Sequence, residues 1–246
     1  MFEQLVQNFT FNNIPLLTSA VITFAFGFWE YIYSFRLTFR EGKSPFPIWM
    51  HTFYFAHDST WAIIFAITAP KYNWNWFMVT ASIALVVWTL FEVYNLYHAI
   101  FIERQEIWHA YYPQGIGKVN AFANVVMQIA GFYGVVNLLI LYFGPGSFLQ
   151  WTSLTNIVMA VGPGILWQRR GSRDGSSIGL SLVILFGTIN TFIPASMFVL
   201  AMPQAFSHLW YYLTGIIISL IALRNFLILR SYPPKEQKPA AKKPIW

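Results

Sequence analysis

Seven stretches of this chain are apolar for long enough to cross a hydrocarbon core of about 30 Å, and no other feature limits its fold as strongly. They run over 15–37, 48–68, 76–98, 119–143, 147–168, 178–202 and 208–230. Lipid offers no water to backbone N–H and C=O groups, so each stretch has to satisfy its own as a helix. Of the 246 residues, 57% are hydrophobic and only 10% charged, against roughly 25% charged in an average soluble domain. The expected fold is an all-α, multi-pass membrane protein of seven transmembrane helices. Its setting would be the plasma membrane in a bacterium or the endoplasmic reticulum in a eukaryote.

The first fourteen residues lack the basic start and small-residue cleavage site of a signal peptide, so the first span is expected to be retained. The net charge of +6 follows topology. Arg36, Arg40 and Lys43 fall in the first loop, Arg104 and Lys118 in the third, and Arg169, Arg170 and Arg173 in the fifth. Arg230, Lys235, Lys238, Lys242 and Lys243 fall in the tail, and the even loops hold only Lys71. The positive-inside rule then puts the N-terminus outside and the C-terminus in the cytoplasm. A nucleic-acid partner is not needed to explain this charge. With no cysteine in the chain, disulfides, thiol catalysis and cysteine-ligated metals are excluded. No lysine lies within a span, which rules out a retinal Schiff base.

The first loop reads "REGKSPFPIW" from Arg40, and the fifth reads "RDGSSIGLSL" from Arg173. The offset from Arg40 to Arg173 carries the spans at 15–37, 48–68 and 76–98 onto 148–170, 181–201 and 209–231, all of them apolar runs. The fourth span has no counterpart and reads as a connector. The expected architecture is a parallel three-plus-one-plus-three repeat, whose halves are related by an axis along the membrane normal, with a site near mid-depth. The segments are 1–14, a short N-terminal piece; 15–98, the first repeat; 99–146, the connector; 147–230, the second repeat; and 231–246, a basic tail.

Ionisable groups at membrane depth are costly and mark function by default. Glu30, Asp58, Glu92 and Arg224 carry that signal here. At about 1.5 Å of rise per residue, Glu30 and Glu92 lie about 10 Å, and Asp58 about 16 Å, from the cytoplasmic ends of their spans. One pocket could hold all three acids. His51 and Asp58 are seven apart, and Trp88, Glu92 and Asn95 are spaced by four and three, so each set shares a helix face. At the repeat offset Asp58 corresponds to Thr191, His57 to Asn190 and Glu92 to Asn225, so the second copy holds neutral groups where the first holds ionisable ones. Desolvation favours the neutral form of a carboxylic acid, which makes a buried one a candidate general acid.

His51, His57 and Asp58 do not have the four-residue spacing of histidines that share a metal on one helix, and no metal is expected. His98, His109 and His208 lie near span ends and read as interfacial. Most of the aromatic residues, 20% of the chain, belong to belts and packing. Trp29, Tyr33, Trp61, Trp88 and Tyr94 stand out because they neighbour the acids in sequence, where a ring face can stabilise a cation.

The stretch "GPGILWQRRGSRDGSSIGLSL" resembles the loop of the PQ-loop and SWEET transporters, a proline break followed by basic residues and a Ser-rich helix entry. The first copy departs from it, with Trp29 and Glu30 where the Pro-Gln pair would stand. The pattern "REGKSPFPIWMHTFYFAHD" resembles the membrane-embedded terpene cyclases of fungal meroterpenoid and indole-diterpene pathways, in which a basic-acid-Gly loop precedes a catalytic carboxylate. Where that family has Trp-Glu this chain has His57 and Asp58, and the family's second catalytic aspartate falls on Asn225.

The cyclase resemblance implies metal-free protonation of an epoxide or alkene of a prenyl chain, ring closure through carbocations, and deprotonation, with no cofactor. The chain has neither a "DDxxD" nor a "DxDD" cluster, which leaves this route open. In that reading Asp58 is the acid, His57 or Glu92 tunes it, and Glu30 or Asn225 polarises the substrate. Trp29, Tyr33, His51, Trp61, Trp88, Tyr94, Asn95 and Asn190 complete the substrate-facing set. Partners would be a lipophilic prenyl or terpenoid substrate and membrane lipids. The transporter resemblance implies instead passage of a small metabolite, with Pro163 and Pro194 as hinges.

Overall fold

The computed structural model of the chain describes residues 2–236 and 245; Lys238, Lys242 and Lys243 of the basic tail lie outside them. The order is α1 (Phe2–Asn8), α2 (Ile14–Glu41), α3 (Ile48–Thr68), a 3₁₀ turn (Ala69–Tyr72), α4 (Trp76–Phe101), α5 (Arg104–Ile107) and α6 (Lys118–Phe143). It continues with α7 (Phe148–Arg170), α8 (Ile178–Phe192), α9 (Met197–Ala201), α10 (Pro203–Phe206) and α11 (Leu209–Ser231). The described residues contain no strand.

Five segments are long and apolar enough to cross a membrane: α2, α4, α6, the run Ile178–Ala201 containing α8 and α9, and α11. Helices α3 and α7, of 21 and 23 residues, reach about 32 and 35 Å at 1.5 Å per residue. Their length suffices, but polar residues dilute them: His51, His57 and Asp58 in α3, and Gln150, Asn156, Gln168, Arg169 and Arg170 in α7.

Exposure runs opposite to that of a water-soluble bundle. Ile63, Ile67, Leu90, Met127, Leu141, Ile216 and Leu220 are exposed, whereas His51, His57, Asp58, Glu92, Asn95 and Ser147 are buried. Helices whose apolar side chains point outward and whose polar ones point inward are at equilibrium with hydrocarbon around them.

The chain divides into two compact units. One contains Gly42–Phe148. Here α3 packs against both α4 and α6, and an apolar cluster of Leu96, Ile100, Trp108, Ile116, Ala121 and Val125 fills the end near α5. The α3–α4 connection is tight. Asn73 and Trp74 both adopt left-handed backbone, at φ 52° and 56°, and the Asn75 side chain then caps α4 by accepting from Phe77 N–H at 3.1 Å.

The other unit contains Met1–Glu41 and Leu149–Trp246. Helix α2 packs on α8 and α9, and α8 on α11; Ala160, Leu185, Ile218 and Ala222 join α7, α8 and α11. Two glycines permit the closest approaches: a Cβ on Gly164 would sit 2.1 Å from Asn225 Cγ, and one on Gly215 would sit 2.2 Å from Phe192 Cβ.

At Pro194 the chain breaks between α8 and α9, because proline lacks an N–H and its ring obstructs the preceding turn. Side chains take carbonyls on both sides of the break: Tyr211 O–H donates to Thr191 O at 2.7 Å and Ser19 O–H to Ala195 O at 3.0 Å. Pro163 does not break α7. At the loop end, Arg173 donates to the Leu229 and Arg230 carbonyls that terminate α11. Glu41 accepts from Gly175 N–H and pairs with Lys235 at 2.6 Å. Burial pushes the Lys235 ammonium below the ordinary lysine range, against the opposing pull of Glu41.

Overpacking a close helix contact costs about 1–3 kcal/mol. Gly164→Ala and Gly215→Ala are therefore each expected to lower the thermal midpoint of the detergent-solubilised protein by several degrees. Gly131→Ala, where an added Cβ meets nothing within 4 Å, is expected to leave it unchanged.

Candidate functional site

In the unit formed by residues 42–148, polar side chains meet in two groups. The first is His57 and Asp58, only 2% and 3% exposed. Successive helical residues leave their backbone about 100° apart, yet these side chains bend together, with His57 Nδ1 and Asp58 Oδ1 at 2.7 Å. An aromatic wall accompanies them along α3. Phe53 and His57 have ring centres 6.0 Å apart, and Phe53 meets Phe132 of α6 edge-on at 5.5 Å. Fully buried Trp61 lies 5.5 Å from Phe148 and 6.1 Å from Phe65. The indole N–H of Trp61 has no hydrogen-bond partner among the described residues.

The second group bridges α3, α4 and the loop before α3. Ser44 Oγ lies 2.7 Å from His51 Nε2, and His51 Nδ1 lies 2.6 Å from Glu92 Oε2. Asn95 donates to the same Glu92 oxygen at 3.3 Å, and its own Oδ1 has no partner among the described residues. The backbone N–H of Ser44 donates to both Glu103 oxygens, at 3.0 and 2.9 Å, while His98 Nδ1 approaches Glu103 Oε2 at 3.2 Å. His51 and Glu92 are 1% and 0% exposed. Buried ionisable groups are tolerable only when paired and hydrogen-bonded, and the spacing of Glu92 and Asn95 on one face of α4 allows both to reach that cluster.

Other expected site residues take different positions. Tyr94 and Trp88 are half-buried on α4, with the Tyr94 ring 6.4 Å from His98. Glu30, Trp29, Tyr33, Asn190 and Asn225 belong to the other unit. Glu30 is 7% exposed, its Oε1 lies 3.4 Å from where a Cβ on Gly187 would be, and no hydrogen bond or ion pair reaches it among the described residues. Ser34 and Thr38 follow on the same face of α2 at steps of four, and their buried hydroxyls also lack partners among the described residues.

Trp29 is 52% exposed and meets Phe26 edge-on; Tyr33 is half-buried. Asn190 donates to Thr23 at 2.9 Å. The amide of Asn225 ties α11 to α7, donating to Ala160 O at 3.0 Å and accepting from Gln168 at 3.4 Å.

One expectation changes. Arg224 is exposed and donates to Gln168; seven residues before the end of α11, its long stem lets the charged head reach out of an apolar stretch. His98, in the last turn of α4, is buried beside Glu103. Ser44 and Glu103 were not singled out from the sequence. Glu103, a charge just beyond an apolar run, was a legible anomaly. Its pairing with Ser44, far back in the chain, was not.

Among the described residues no group of three or more His, Asp or Glu side chains is arranged to hold a metal ion. No protein-family model matches the chain, and neither a curated protein nor a solved structure matches it. Any assignment of function therefore rests on the residues themselves.

Bonds to Glu103 hold the Ser44 amide. Removing a charge-assisted acceptor is worth about 1.5–3 kcal/mol, so Glu103→Ala is expected to speed hydrogen exchange at that amide by roughly 10- to 100-fold. Exchange measured residue by residue in detergent checks this against amides in the middle of α6.

Proposed function

We propose that this chain is a seven-span membrane enzyme that cyclises a prenyl or terpenoid chain by metal-free protonation, with Asp58 as the acid. The observation that carries the reading is the buried Asp58–His57 contact at 2.7 Å on an aromatic-walled helix. Asp58 donates its proton to an epoxide oxygen or an alkene carbon. The ring faces of Phe53 and Trp61 shield the cation as the chain closes, and a base takes a proton from the final cation. His57 holds the Asp58 carboxyl in place and sets its proton affinity. Positioned acid catalysis of this kind is worth about 10²–10⁴ in rate.

The seven-span count treats α3 as a span whose ionisable residues face inward and α7 as one whose arginines lie in its last turn. Their lengths support it, and so does the offset from Arg40 to Arg173. That offset carries Trp76, the first residue of α4, onto Leu209, the first of α11. It also carries Gly42 onto Gly175, both in left-handed backbone at φ 70° and 65°. The orientation, with basic loops in the cytoplasm, follows from the charge distribution.

A transport reading draws on the broken run at Pro194, since discontinuous helices often frame substrate sites in transporters. Tyr211 and Ser19 take carbonyls on either side of that break, whereas the acid of the catalytic reading sits in an unbroken helix.

Purified protein incubated with epoxidised and plain farnesyl or geranylgeranyl chains is expected to give cyclic products by gas chromatography and mass spectrometry. Asp58→Asn should reduce the yield by roughly 100-fold or more. Absence of product from the unmodified protein would sink the cyclase reading. Uptake of sugars or amino acids into proteoliposomes that survives Asp58→Ala but fails in Asn190→Ala would support transport instead.

A further inference from the structure

The loop serine, His51 and Glu92 stand in an order that proton-transfer chemistry gives a specific use. The hydroxyl oxygen meets Nε2 of the imidazole at 2.7 Å, and Nδ1 of the same ring meets a carboxylate oxygen at 2.6 Å. This is the arrangement of a nucleophile, the base that takes its proton, and the acid that orients the base. We propose that Ser44, His51 and Glu92 form an acyl-transfer centre acting on carboxylic esters with long apolar acyl chains. This centre is separate from the Asp58 site and does not depend on the cyclisation reading.

Three observations favour this use over a simple loop fastening. First, the fastening is already made by the backbone, since Ser44 N–H donates to both Glu103 oxygens; holding the loop does not require the hydroxyl.

Second, the serine at the same place in the later loop is Ser177. Its hydroxyl does the ordinary job of a helix cap, accepting from Leu180 N–H at 3.0 Å. In the first loop "SPFP" moves the helix start to Ile48, and the hydroxyl is given to a histidine instead. The position matching His51 is Ile184, so the later loop offers its serine no base.

Third, Phe46 N–H donates to Ser44 Oγ at 3.2 Å, a contact that strengthens as the oxygen gains negative charge. The hydroxyl also lies 3.2 Å from Phe46 O, and the shorter approach to His51 marks the imidazole as its better acceptor.

Location sets the substrate class. Glu103 lies two residues beyond α4, one of the candidate spans, so Ser44, bonded to it, sits at the end of a membrane crossing. Ester groups of acylated lipids lie at the same boundary between headgroups and hydrocarbon. Ser44, Pro45 and Phe46 are buried, which suits an apolar chain more than a water-soluble ester. In the reaction Ser44 Oγ bonds to the ester carbonyl carbon as its proton passes to His51 Nε2, and Glu92 stabilises the imidazolium. Cleavage of the ester C–O bond releases the alcohol, which takes that proton. Water or a second alcohol, deprotonated by His51, then frees the acid or forms a new ester and restores Ser44.

The test uses the full chain in lipid nanodiscs, an alkyl fluorophosphonate probe, and mass spectrometry to locate the adduct. One adduct on Ser44 is expected, absent in Ser44→Ala and formed about 10³-fold more slowly in His51→Gln. p-Nitrophenyl laurate is expected to be cleaved faster than the butyrate, and Ser44→Ala should abolish both activities. That variant leaves the His51–Glu92 contact in place, so it serves if His51→Gln does not fold.

Asp58→Asn is expected to label normally, which separates failure here from failure of the cyclase reading. An unlabelled Ser44 in protein with native helical circular dichroism overturns the proposal. So does an adduct that forms at the same rate in His51→Gln.

Discussion

Hydrocarbon supplies no hydrogen-bond partners, and almost every feature of this chain answers to that fact. A polar atom in lipid has to find its partner within the protein or stay next to another polar atom. Helices meet the demand for the backbone, and contacts between helices meet it for side chains. Where the backbone ladder breaks at Pro194, hydroxyls from two other helices accept the task. Where carboxylates are buried, imidazoles and amide groups lie beside them. Glu30, Ser34 and Thr38 depart from the pattern, forming an unsatisfied polar stripe on α2 among the described residues. Stripes of this kind are where internal water or a ligand group would be held most firmly.

Much of the fold could be read from the chain because helices in lipid report themselves by length and apolarity, both local properties. The run at 76–98 corresponds to α4 and that at 208–230 to α11, within a few residues. The ends were harder. Helix α2 continues to Glu41 beyond the expected boundary at 37, because Glu41 is held by Lys235 and Gly175. Gly175 and Lys235 come 134 and 194 residues later in the sequence, out of reach of any local pattern. The extension puts Glu30 about 16 Å from the end of its helix at 1.5 Å per residue, close to the value for Asp58 and deeper than a boundary at 37 implies. The small helix α9 lies inside the run at 178–202 and α10 in the gap after it; Pro194 marks the interruption, but the Tyr211 and Ser19 hydroxyls that accommodate it come from other helices.

The candidate site was legible in kind but not in pairing. Isolated acids and histidines in apolar runs are conspicuous, so Asp58, Glu92, His51 and His57 could be named individually. Periodicity assigns a face within one helix and is silent about which face of another helix it meets. The contact between His51 and Glu92 therefore could not be foreseen, nor could the recruitment of Ser44 from a loop. Asn225 shows the converse. As the counterpart of Glu92 it looked like a substrate-facing group, but its amide is spent on holding two helices across Gly164, where only a hydrogen leaves enough space.

The tight link between α3 and α4 has a bearing on chemistry that its position, remote from Ser44, conceals. Thr68 ends one helix and Trp76 begins the next, with Asn73 and Trp74 in left-handed backbone between them. So short and fully determined a connection fixes the phase of α4 relative to α3. His51 and Glu92 lie far from it along their helices, but each residue added or removed between Trp76 and Glu92 would turn the carboxylate by about 100° about the α4 axis. The carboxylate would then leave the imidazole altogether. The connector acts as a gauge, and residues that never approach a substrate set the geometry of the ones proposed to do so.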